Sequence, residues 1–426
     1  MSDQRPARQR IEDRLAAAGL PPLPRTAWAE VDLDLLAGNL GVLRELAGDG
    51  TPLFPVVKAD AYGHGAIPIA RSLEAAGADG FCVAALDEGV VLRGAGITRP
   101  ILVLYPIPPA LAGTARDSGL GVTAGDAAML AGLLAALDGA ASPDQLAVHL
   151  EVETGLGRGG FAGEALTDAA GQIERAPAAR LASLWTHLQA PEDGPRTARQ
   201  LGRFEAAADA VGAAGVGLPP RHVAASAGLL LDGVASLDGA RPGLSVYGLL
   251  PDELLGAGPV RAKPAGTRLR PILSLHARPV RVAELPEEWG VGYGPTFTTS
   301  RPSRIATLPL GYGDGWPRSL SNRAEALVRG TRVLLVGNVA MDAVMADVTD
   351  VPGAPVTTDD EFVLIGEQAG QRITVAELAA ARGTNSWEVV TNLAVRLPRV
   401  YHAASVPRET RTLIGDEAGG RRSMRP

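Results

Sequence analysis

A lysine at the end of an apolar run is the first residue of this sequence that could do covalent chemistry. Residues 54–57 predict a buried strand, and Lys58 follows it just before Tyr62 and two glycines, a pattern typical of a tight connection into a helix. Burial at the rim of a core disfavours the charged ammonium, and the neutral amine is the nucleophile that forms a Schiff base with an aldehyde cofactor. The alternative for the bare pattern is a strand-end lysine whose amine stays in water.

The residues around Lys58 narrow this choice. The segment K-A-D-A-Y-G-H-G, residues 58–65, resembles the cofactor-binding lysine segment of the alanine racemase family. The resemblance implies pyridoxal 5′-phosphate as the cofactor, with Lys58 bound covalently to it and Tyr62 directed toward its phosphate. It extends over residues 26–402, where further motifs occur in the family's order.

Racemisation of an amino acid requires two bases, because the α-proton leaves from one face of the carbanion and returns to the other. Lys58 can act on one face. For the other face, the segment GVGYGPTF resembles the family's second-base segment and implies Tyr293; by itself this residue reads as a strand tyrosine beside a turn. A phenol is ordinarily protonated at neutral pH, and the resemblance implies a relay in which Tyr293 bonds to His187 and His187 to Arg241. A lone histidine such as His187 can equally be a core side chain.

The same resemblance places Arg241, in the segment R-P-G-L-S-V-Y-G, against the pyridine nitrogen of the cofactor. An arginine does not give up its proton at any working pH, so the ring nitrogen stays unprotonated. The ring is then a weaker electron sink than one paired with a carboxylate. We expect this to limit protonation at the cofactor carbon, and hence transamination.

Phosphate binding is assigned to three places in the sequence. Ser226 follows an apolar run and precedes a predicted helix, where free backbone N–H groups favour an anion. Gly243 and Leu244 match family positions whose main-chain amides complete the phosphate site, although a glycine there is also an ordinary turn residue. Trp387 stands where relatives carry a tyrosine that bonds the phosphate; an indole donates a hydrogen bond but cannot accept one.

The substrate carboxylate needs a cation. The segment LEVETGLGRGGF resembles a family segment whose arginine touches cofactor and substrate, which implies Arg158 for that role. Many relatives brace this arginine with a carbamylated lysine. Here that position is Glu151, whose carboxylate provides the negative charge without modification, and we expect it to orient Arg158 directly. Met341 matches a backbone N–H donor to the carboxylate, with Asp342 beside it, although a Met-Asp pair in a strand is usually core and turn.

Residues that match the access channel of relatives are kept only in part. Tyr312 and Arg318, in GYGDGWPR, are retained, whereas Asn338 replaces an arginine that is common near the entrance. The replacement removes one positive charge from the approach path of a carboxylate. Asn338, Trp387 and Glu151 leave the two bases untouched, so these departures bear on substrate preference. A racemase of serine or another amino acid is the alternative within the family.

The order of elements predicts the fold that positions these residues. From residue 28 to about residue 250, apolar runs alternate with helical stretches about eight times, which predicts an α/β barrel of the (β/α)8 TIM type with its chemistry at the carboxyl ends of the strands. Beyond residue 259, strands alternate with Gly and Pro turns, which predicts a C-terminal all-β domain. Within that domain, Thr374 and Glu377 predict a capped helix. The predicted boundaries are 25–258 for the barrel, 259–405 for the β domain, and flexible tails at 1–24 and 406–426.

The composition excludes several classes of function. The 426 residues carry a net charge of −7, which argues against nucleic acid as the main partner. The histidines are scattered and Cys82 is the single cysteine, so we expect no metal site and no disulfide framework. No apolar run reaches the roughly 20 residues of a membrane span, and the first residues do not resemble a secretion signal. We therefore expect a cytoplasmic protein without a membrane partner.

The resemblance also implies an assembly. In the family, the residues matching Tyr293 and Met341 complete the active site of the other subunit, so a homodimer with composite sites and a small amino acid substrate is expected. Two alternatives come from other classes: a pyridoxal-phosphate decarboxylase or aldolase, and a cofactor carrier. The former carry other residues around the lysine, and the latter usually lack a second domain.

Overall fold

A computed structural model describes residues 9–139, 143–255 and 263–418 of the chain. Contacts between residues divide the chain into two compact units. The barrel unit is Leu36–Arg270, and the β unit combines Met1–Leu35 with Pro271–Pro426. The predicted boundary between residues 258 and 259 lies outside the described residues.

The described residues form helices and strands of ordinary length. No helix among them is long and apolar enough to cross a membrane. The right-handed α-helices are Ile11–Ala17, Leu33–Ala47, Ala66–Ala75, Leu86–Gly94, Ala112–Asp117, Ala127–Leu137, Glu164–Arg175, Gly194–Ala213, Ser226–Leu230, Val375–Arg382 and Ser386–Thr391, and Lys58–Tyr62 forms a left-handed helical turn. The strands are Ala27–Asp32, Phe81–Val83, Ile101–Val103, Leu120–Ala124, Leu146–Glu151, Ala179–Trp185, Arg221–His222, Leu273–Ala277, Arg281–Leu285, Ser303–Leu308, Glu325–Val328, Thr331–Val336, Val344–Asp347, Phe362–Gln368, Gln371–Ile373, Arg399–Ala403, Val406–Thr412 and Gly415–Ala418.

The barrel unit is a closed ring of parallel segments. The strands from Phe81–Val83 to Arg221–His222 form a six-stranded parallel sheet in chain order. Residues 53–57 and 240–242 close the ring, because parallel bridges join residue 56 to residue 82, 53 to 240, and 225 to 241. The six strands and these two segments together make the predicted (β/α)8 barrel, which is confirmed.

Burial explains why these runs form a barrel. Phe81–Val83, Ile101–Val103 and Leu120–Ala124 have no exposed residue, as expected for parallel strands covered by helices on one side and by the packed interior on the other. In such a barrel, side chains that follow the carboxyl ends of the strands meet on one face.

The β unit contains a strand that was expected in the barrel. Ala27–Asp32 pairs antiparallel with Leu273–Ala277 and parallel with Arg399–Ala403, so its assignment to the barrel is wrong. The first five of its residues are buried, and an apolar strand carries no local signal of which sheet it joins.

Ordered structure also extends into the predicted N-terminal tail. The helix Ile11–Ala17 packs two apolar side chains into a cluster with Trp28 and Val400. On the same helix, Arg14 donates from both Nη atoms to the carboxylate of Glu30, each at 3.1 Å. Some of the charged residues that suggested a flexible tail, among them Arg14, instead form ion pairs within the β unit. Residues 1–8 lie outside the described residues.

The predicted C-terminal tail is ordered over its first part. Val406–Thr412 pairs antiparallel with Arg399–Ala403 and with Gly415–Ala418. Backbone pairing therefore extends the sheet beyond residue 405, and amino-acid composition does not reveal such pairing. Residues 419–426 lie outside the described residues.

The predicted helix of the β unit is confirmed as Val375–Arg382. Thr374 Oγ1 accepts the N–H of Glu377 at 3.1 Å, and Glu377 Oε2 accepts the N–H of Thr374 at 2.6 Å. This reciprocal pair is a capping box. A second helix, Ser386–Thr391, follows and carries Trp387, so the mainly β unit contains two helices in this region.

Candidate active site

Lys58 lies directly after the barrel segment 53–57, at the start of a left-handed turn. Ala59, Asp60, Ala61 and Tyr62 all have φ between 52° and 55°. A left-handed backbone costs a non-glycine residue about 1 kcal/mol or more, and such strain persists only where surrounding contacts impose it. The fold therefore dictates the directions in which the side chains of this turn leave the backbone.

Two side chains hold the left-handed turn. Glu88 accepts the N–H of Ala59 at 2.7 Å. The buried ring of His64 bonds through Nδ1 to the carbonyl oxygens of Ala61 and Tyr62, both at 2.9 Å, so Nδ1 carries the proton that is donated. These contacts offset the backbone strain next to Lys58.

Lys58 shares its end of the barrel with two arginines and two aromatic rings. Its amine lies 6.0 Å from the centre of the Tyr105 ring, and Arg158 Cζ lies 5.6 Å from the same ring. Arg158 Cζ is also 6.0 Å from the Trp185 ring, over which Arg241 Cζ lies at 4.8 Å. Three cations around two aromatic faces make this end of the barrel electropositive, which suits an anionic cofactor and a carboxylate substrate.

Glu151 supplies a counter-charge within this group. Its Oε1 lies 2.9 Å from Nη2 of Arg158. Glu151 is buried, whereas Arg158 is partly exposed on the loop that follows. The neighbouring Glu153 accepts the N–H groups of Gly155 and Gly157 and so shapes the loop that carries Arg158. The structure thus brings together the two residues expected to form an ion pair.

Arg241 is buried, and its guanidinium is bound by main-chain and histidine acceptors. Nη2 donates to the carbonyl of Thr186 at 2.7 Å, while Nη1 donates to the carbonyl of His222 at 3.0 Å and to Nδ1 of the His222 ring. Burial lowers the pKa of Arg241 to about 10, which leaves it protonated at neutral pH. No carboxylate accepts a hydrogen bond from it among the described residues.

His187 stands near these cations without the expected bond to Arg241. Among the hydrogen bonds of the described residues, the histidine bound to Arg241 is His222. Burial, followed by the charges of Arg241, Arg158 and Lys58, lowers the pKa of His187 to about 3. At neutral pH His187 is therefore an uncharged imidazole, able both to donate and to accept one hydrogen bond.

A directional chain of hydrogen bonds runs from Arg241 into the barrel interior. An arginine only donates, so His222 Nδ1 accepts and the ring proton sits on Nε2. Nε2 lies 2.8 Å from Ser183 Oγ, which lies 2.6 Å from Nδ1 of His149. The hydroxyl therefore accepts from His222 and donates to His149. Both rings are neutral, and burial is the largest cause that lowers the pKa of His149 to about 3 and that of His222 well below its ordinary value.

Of the predicted phosphate residues, Ser226, Gly243 and Leu244 lie together in the barrel unit, whereas Trp387 belongs to the β unit. Ser226 Oγ accepts the backbone N–H groups of Gly243 at 2.9 Å and Ser245 at 3.2 Å, on either side of the buried Leu244. A Cβ on Gly243 would lie 2.6 Å from Tyr62 Oη, so glycine keeps this space open. The Oγ of Ser245 is buried and has no hydrogen-bond partner within the part of the chain described. The hydroxyls of Ser226 and Ser245 and the phenol of Tyr62 are donors of the kind that bind a phosphate.

The remaining predicted residues lie in the β unit. Tyr293 is 79% exposed, Met341 52% and Tyr312 43%. Trp387 is half-buried, and the Asp342 side chain is exposed. Two of these residues, Tyr312 and Met341, are brought together by the backbone.

The turns that carry Tyr312 and Met341 are joined by two main-chain hydrogen bonds. The N–H of Tyr312 donates to the carbonyl of Ala340 at 3.0 Å, and the N–H of Gly313 donates to that of Met341 at 2.9 Å. In a trans peptide the carbonyl and the following N–H point in opposite directions. The Met341 N–H therefore points away from the backbone of Tyr312.

Arg396 connects the same two turns through side chains. Its Nε donates to Asp314 Oδ1 at 2.8 Å, and its Nη2 donates to Asp342 Oδ1 at 2.6 Å and to the Met341 carbonyl at 3.3 Å. Arg25 donates to Asp314 Oδ1 as well, at 2.6 Å. Burial alone would raise the pKa of Asp314, but the hydrogen bonds from the two arginines and from the backbone outweigh it and lower that pKa.

Three side chains near the predicted residues were not anticipated. Tyr105 follows the barrel strand Ile101–Val103 in the way that Lys58 follows the segment 53–57. Its place after a predicted strand could have identified it as a site residue from the sequence. His222 could have been identified as a titratable residue inside a buried run. The sequence does not indicate a role for Glu88, because the N–H of Ala59 becomes free to bond it only in the left-handed turn.

Comparisons with known proteins identify the family of this chain. The sequence profile described as "Alanine racemase, N-terminal domain" matches residues 31–251, and that described as "Alanine racemase, C-terminal domain" matches residues 272–401. An alanine racemase from Symbiobacterium thermophilum is 41% identical over 379 residues, covering 88% of this chain and 97% of the relative.

Solved structures give the same result. The alanine racemase of Bacillus anthracis, with bound L-Ala-P, has a TM-score of 0.84 at 31% identity, covering 92% of this chain and 99% of that chain. The alanine racemase of the D-cycloserine-producing Streptomyces lavendulae has a TM-score of 0.80 at 30% identity, covering 90% of this chain and 98% of that chain.

Proposed function

This chain belongs to the alanine racemase family and interconverts the enantiomers of alanine, and we propose that it does so with pyridoxal 5′-phosphate bound through Lys58. One observation carries the proposal: Lys58, Arg158 and Ser226 follow three different barrel segments, at the end where barrel enzymes place their chemistry, and Arg241 lies in the segment 240–242, which pairs with residue 225 just before Ser226. The bound cofactor supplies the electron sink that makes an α-proton acidic.

The cofactor phosphate is proposed to lie against Ser226 and the backbone amides that follow residue 242. The ring nitrogen is proposed to face Arg241. Because Arg241 is held by carbonyls and a neutral histidine, it keeps its own proton and cannot hand one to the ring. The residues proposed to bind the cofactor are Lys58, Tyr62, His187, Ser226, Arg241, Gly243, Leu244 and Trp387.

The substrate carboxylate is proposed to lie between Arg158 and the N–H of Met341. Glu151 orients Arg158, while Asp342 and Tyr312 support the turn that carries Met341. A guanidinium and a backbone N–H both donate to a carboxylate, so together they orient the α-carbon. Orientation matters because proton transfer requires the base to be within hydrogen-bond reach.

Proton transfer is proposed to use two groups. On one face the neutral Lys58 amine removes the α-proton and its ammonium returns one; on the other face the Tyr293 phenolate removes it and the phenol returns one. Each enantiomer loses its proton to one of these groups and regains one from the other, so both are needed for inversion.

Incubation with each enantiomer of alanine in deuterated water tests this assignment. We expect the wild-type protein to exchange the α-proton with inversion of either enantiomer. Tyr293→Phe should lower the rate of inversion by at least about a hundredfold, while exchange without inversion persists for the enantiomer that Lys58 deprotonates. Lys58→Ala should abolish both. Full racemisation by Tyr293→Phe would refute the role of this tyrosine.

We further propose a homodimer in which Tyr293 and Met341 complete the site of the neighbouring subunit. Their exposure, 79% and 52%, supports a role outside the chain's own core. If sites are composite, a mixed dimer of Lys58→Ala and Tyr293→Phe chains carries both changes in one site and none in the other. Mixing the two inactive proteins should then restore activity, whereas mixtures that stay inactive would contradict shared sites.

We propose the cytoplasm as the compartment and cell-wall peptidoglycan as the use of the D-alanine. Cys82 is buried and is the single cysteine, so the chain forms no internal disulfide, which suits a reducing compartment. Rescue of a bacterial D-alanine auxotroph by the gene would support this role.

A further inference from the structure

The side chain of Asn338 holds the backbone of the proposed second base. Its Nδ2 donates to the carbonyl oxygens of Tyr293 and Gly294, each at 2.9 Å. Both partners only accept hydrogen bonds, so the nitrogen of the amide must face them. We propose that Asn338 is a positioning residue for Tyr293, an inference that rests on the proposed function.

Tyr293 lies at the tip of a loop that is also tied at Thr296, whose Oγ1 accepts from Asn322 Nδ2 at 2.9 Å. The loop is closed where the N–H of Val291 donates to the carbonyl of Phe297 at 3.0 Å. The residues on either side of the tyrosine, Gly292 and Gly294, have φ of 79° and 49° and bring no side chains with which to pack. The direction of the Tyr293 side chain therefore depends on contacts made by its backbone.

Asn338 can act as an anchor because its own backbone is fixed on both sides. The N–H of Gly337 donates to Asn322 Oδ1 at 2.7 Å, and the N–H of Val339 donates to Ser321 Oγ at 3.0 Å. An asparagine has only two side-chain torsions, so it loses little conformational freedom when it bonds the loop. The loop is thus tied to a rigid part of the β unit at the residue that does the chemistry.

Loss of this tie affects one face of the substrate only. A displacement of about 1 Å of a proton-transfer group can cost about a hundredfold in rate. Racemisation in both directions slows, because each passes through the Tyr293 step. The α-deuterium isotope effect, however, grows only for the enantiomer whose proton goes to Tyr293, since that transfer becomes more rate-limiting.

The test compares two isosteric changes that add the same charge to neighbouring loops. Asn338→Asp removes both donors and sets a carboxylate against two carbonyl oxygens. Asn322→Asp is the matched control: its retained Oδ1 still accepts from Gly337, and its second oxygen accepts from the Thr296 hydroxyl, which now bonds the Asn322 Nδ2 at 2.9 Å. Asn338→Ala repeats the loss of the donors without added charge if the first variant folds poorly.

We expect Asn338→Asp to lower kcat by about tenfold to a hundredfold, with an isotope effect that rises for one enantiomer and unchanged absorbance of the bound cofactor. Asn322→Asp should stay within about twofold of wild type. In the Tyr293→Phe background, Asn338→Asp should cause little further loss, because both changes act on one step.

Equal losses in the two Asp variants, an unchanged Asn338→Asp enzyme, or an isotope effect that rises for both enantiomers would overturn the inference. Hydrogen exchange of residues 291–297 gives a second readout, and we expect it to accelerate in Asn338→Asp alone. A wild-type protein that does not racemise alanine would overturn the proposed function, while the exchange of this loop would still decide whether Asn338 holds it.

Discussion

Glu151 is the residue proposed to orient Arg158 toward the substrate carboxylate. Its 2.9 Å ion pair with Arg158 makes the consequence testable. Glu151→Gln keeps the shape but removes the charge that orients Arg158. We expect KM for alanine to rise by about tenfold with a smaller change in kcat, because the carboxylate is bound both before and during proton transfer. Steady-state kinetics with both enantiomers measures the separate effects on KM and kcat.

Glu153→Gln is the matched control for this prediction. It removes a charge two residues away whose hydrogen bonds go to backbone N–H groups of the loop. A rise in KM as large as that of Glu151→Gln would assign the effect to loop shape. Glu151→Lys adds a positive test: bicarbonate should restore activity to this variant by carbamylation, and it should leave the wild-type rate unchanged.

Contacts between residues of one local segment could be predicted from the sequence, and contacts between distant segments could not. Arg158 lies in such a local segment, and its partner, Glu151, lies seven residues away. The bond from Arg241 to His222 exists because two barrel segments pair in parallel at residues 225 and 241. Nothing in the sequence distinguishes His222 from His187 as the histidine next to Arg241.

At the scale of elements, Gly313 lies where a side chain would meet the Arg396 guanidinium and the Met341 carbonyl, two groups that join the turns of Tyr312 and Met341. A Cβ there would lie 2.8 Å from Arg396 Cζ. Gly313→Ala should therefore push the guanidinium away from Met341 while keeping its charge. We expect KM for alanine to rise by about tenfold, as in Arg396→Gln, because the Met341 N–H loses its fixed direction. Kinetics and thermal unfolding of both variants measure this.

Arg25→Gln separates the docking of these turns from general stability. Arg25 donates to the same Asp314 oxygen as Arg396, at 2.6 Å, but none of its hydrogen bonds among the described residues reaches Met341. We expect Arg25→Gln to lower the melting temperature as Arg396→Gln does and to leave KM for alanine unchanged. If Arg25→Gln raises KM equally, the ion pairs of Asp314 are responsible and the docking is not.

Sequence patterns predict some of the strand pairings in this structure and not others. The barrel could be predicted because apolar runs and helices alternate regularly, and each run pairs with its neighbours in the chain. The strand Ala27–Asp32 breaks that rule, since one of its partners is Arg399–Ala403 near the far end of the sequence. Pairing across such a distance leaves no periodic trace in either segment.

At the scale of the whole molecule, two neutral histidines in the barrel interior link folding to pH. The pKa of His149 is about 3 in the folded protein, against an ordinary value of 6.5. Between these values the unfolded chain binds a proton that the folded chain does not. The free energy of unfolding therefore falls as pH falls below about 6.5, by about 1.4 kcal/mol per pH unit for each such histidine, and this effect vanishes above it. His222, whose pKa is also lowered by burial, acts in the same direction.

Urea unfolding between about pH 4.5 and 7.5 should show this dependence and divide it between residues. We expect His149→Gln to make the decline of the free energy of unfolding below about pH 6.5 shallower, by about 1.4 kcal/mol per pH unit, because glutamine binds no proton in either state. Ser183→Ala is the control, since it removes the hydrogen bonds between the two rings but keeps both. It should lower the free energy of unfolding by a similar amount at every pH. Parallel curves for the wild type and His149→Gln would show that His149 is not held neutral by the fold.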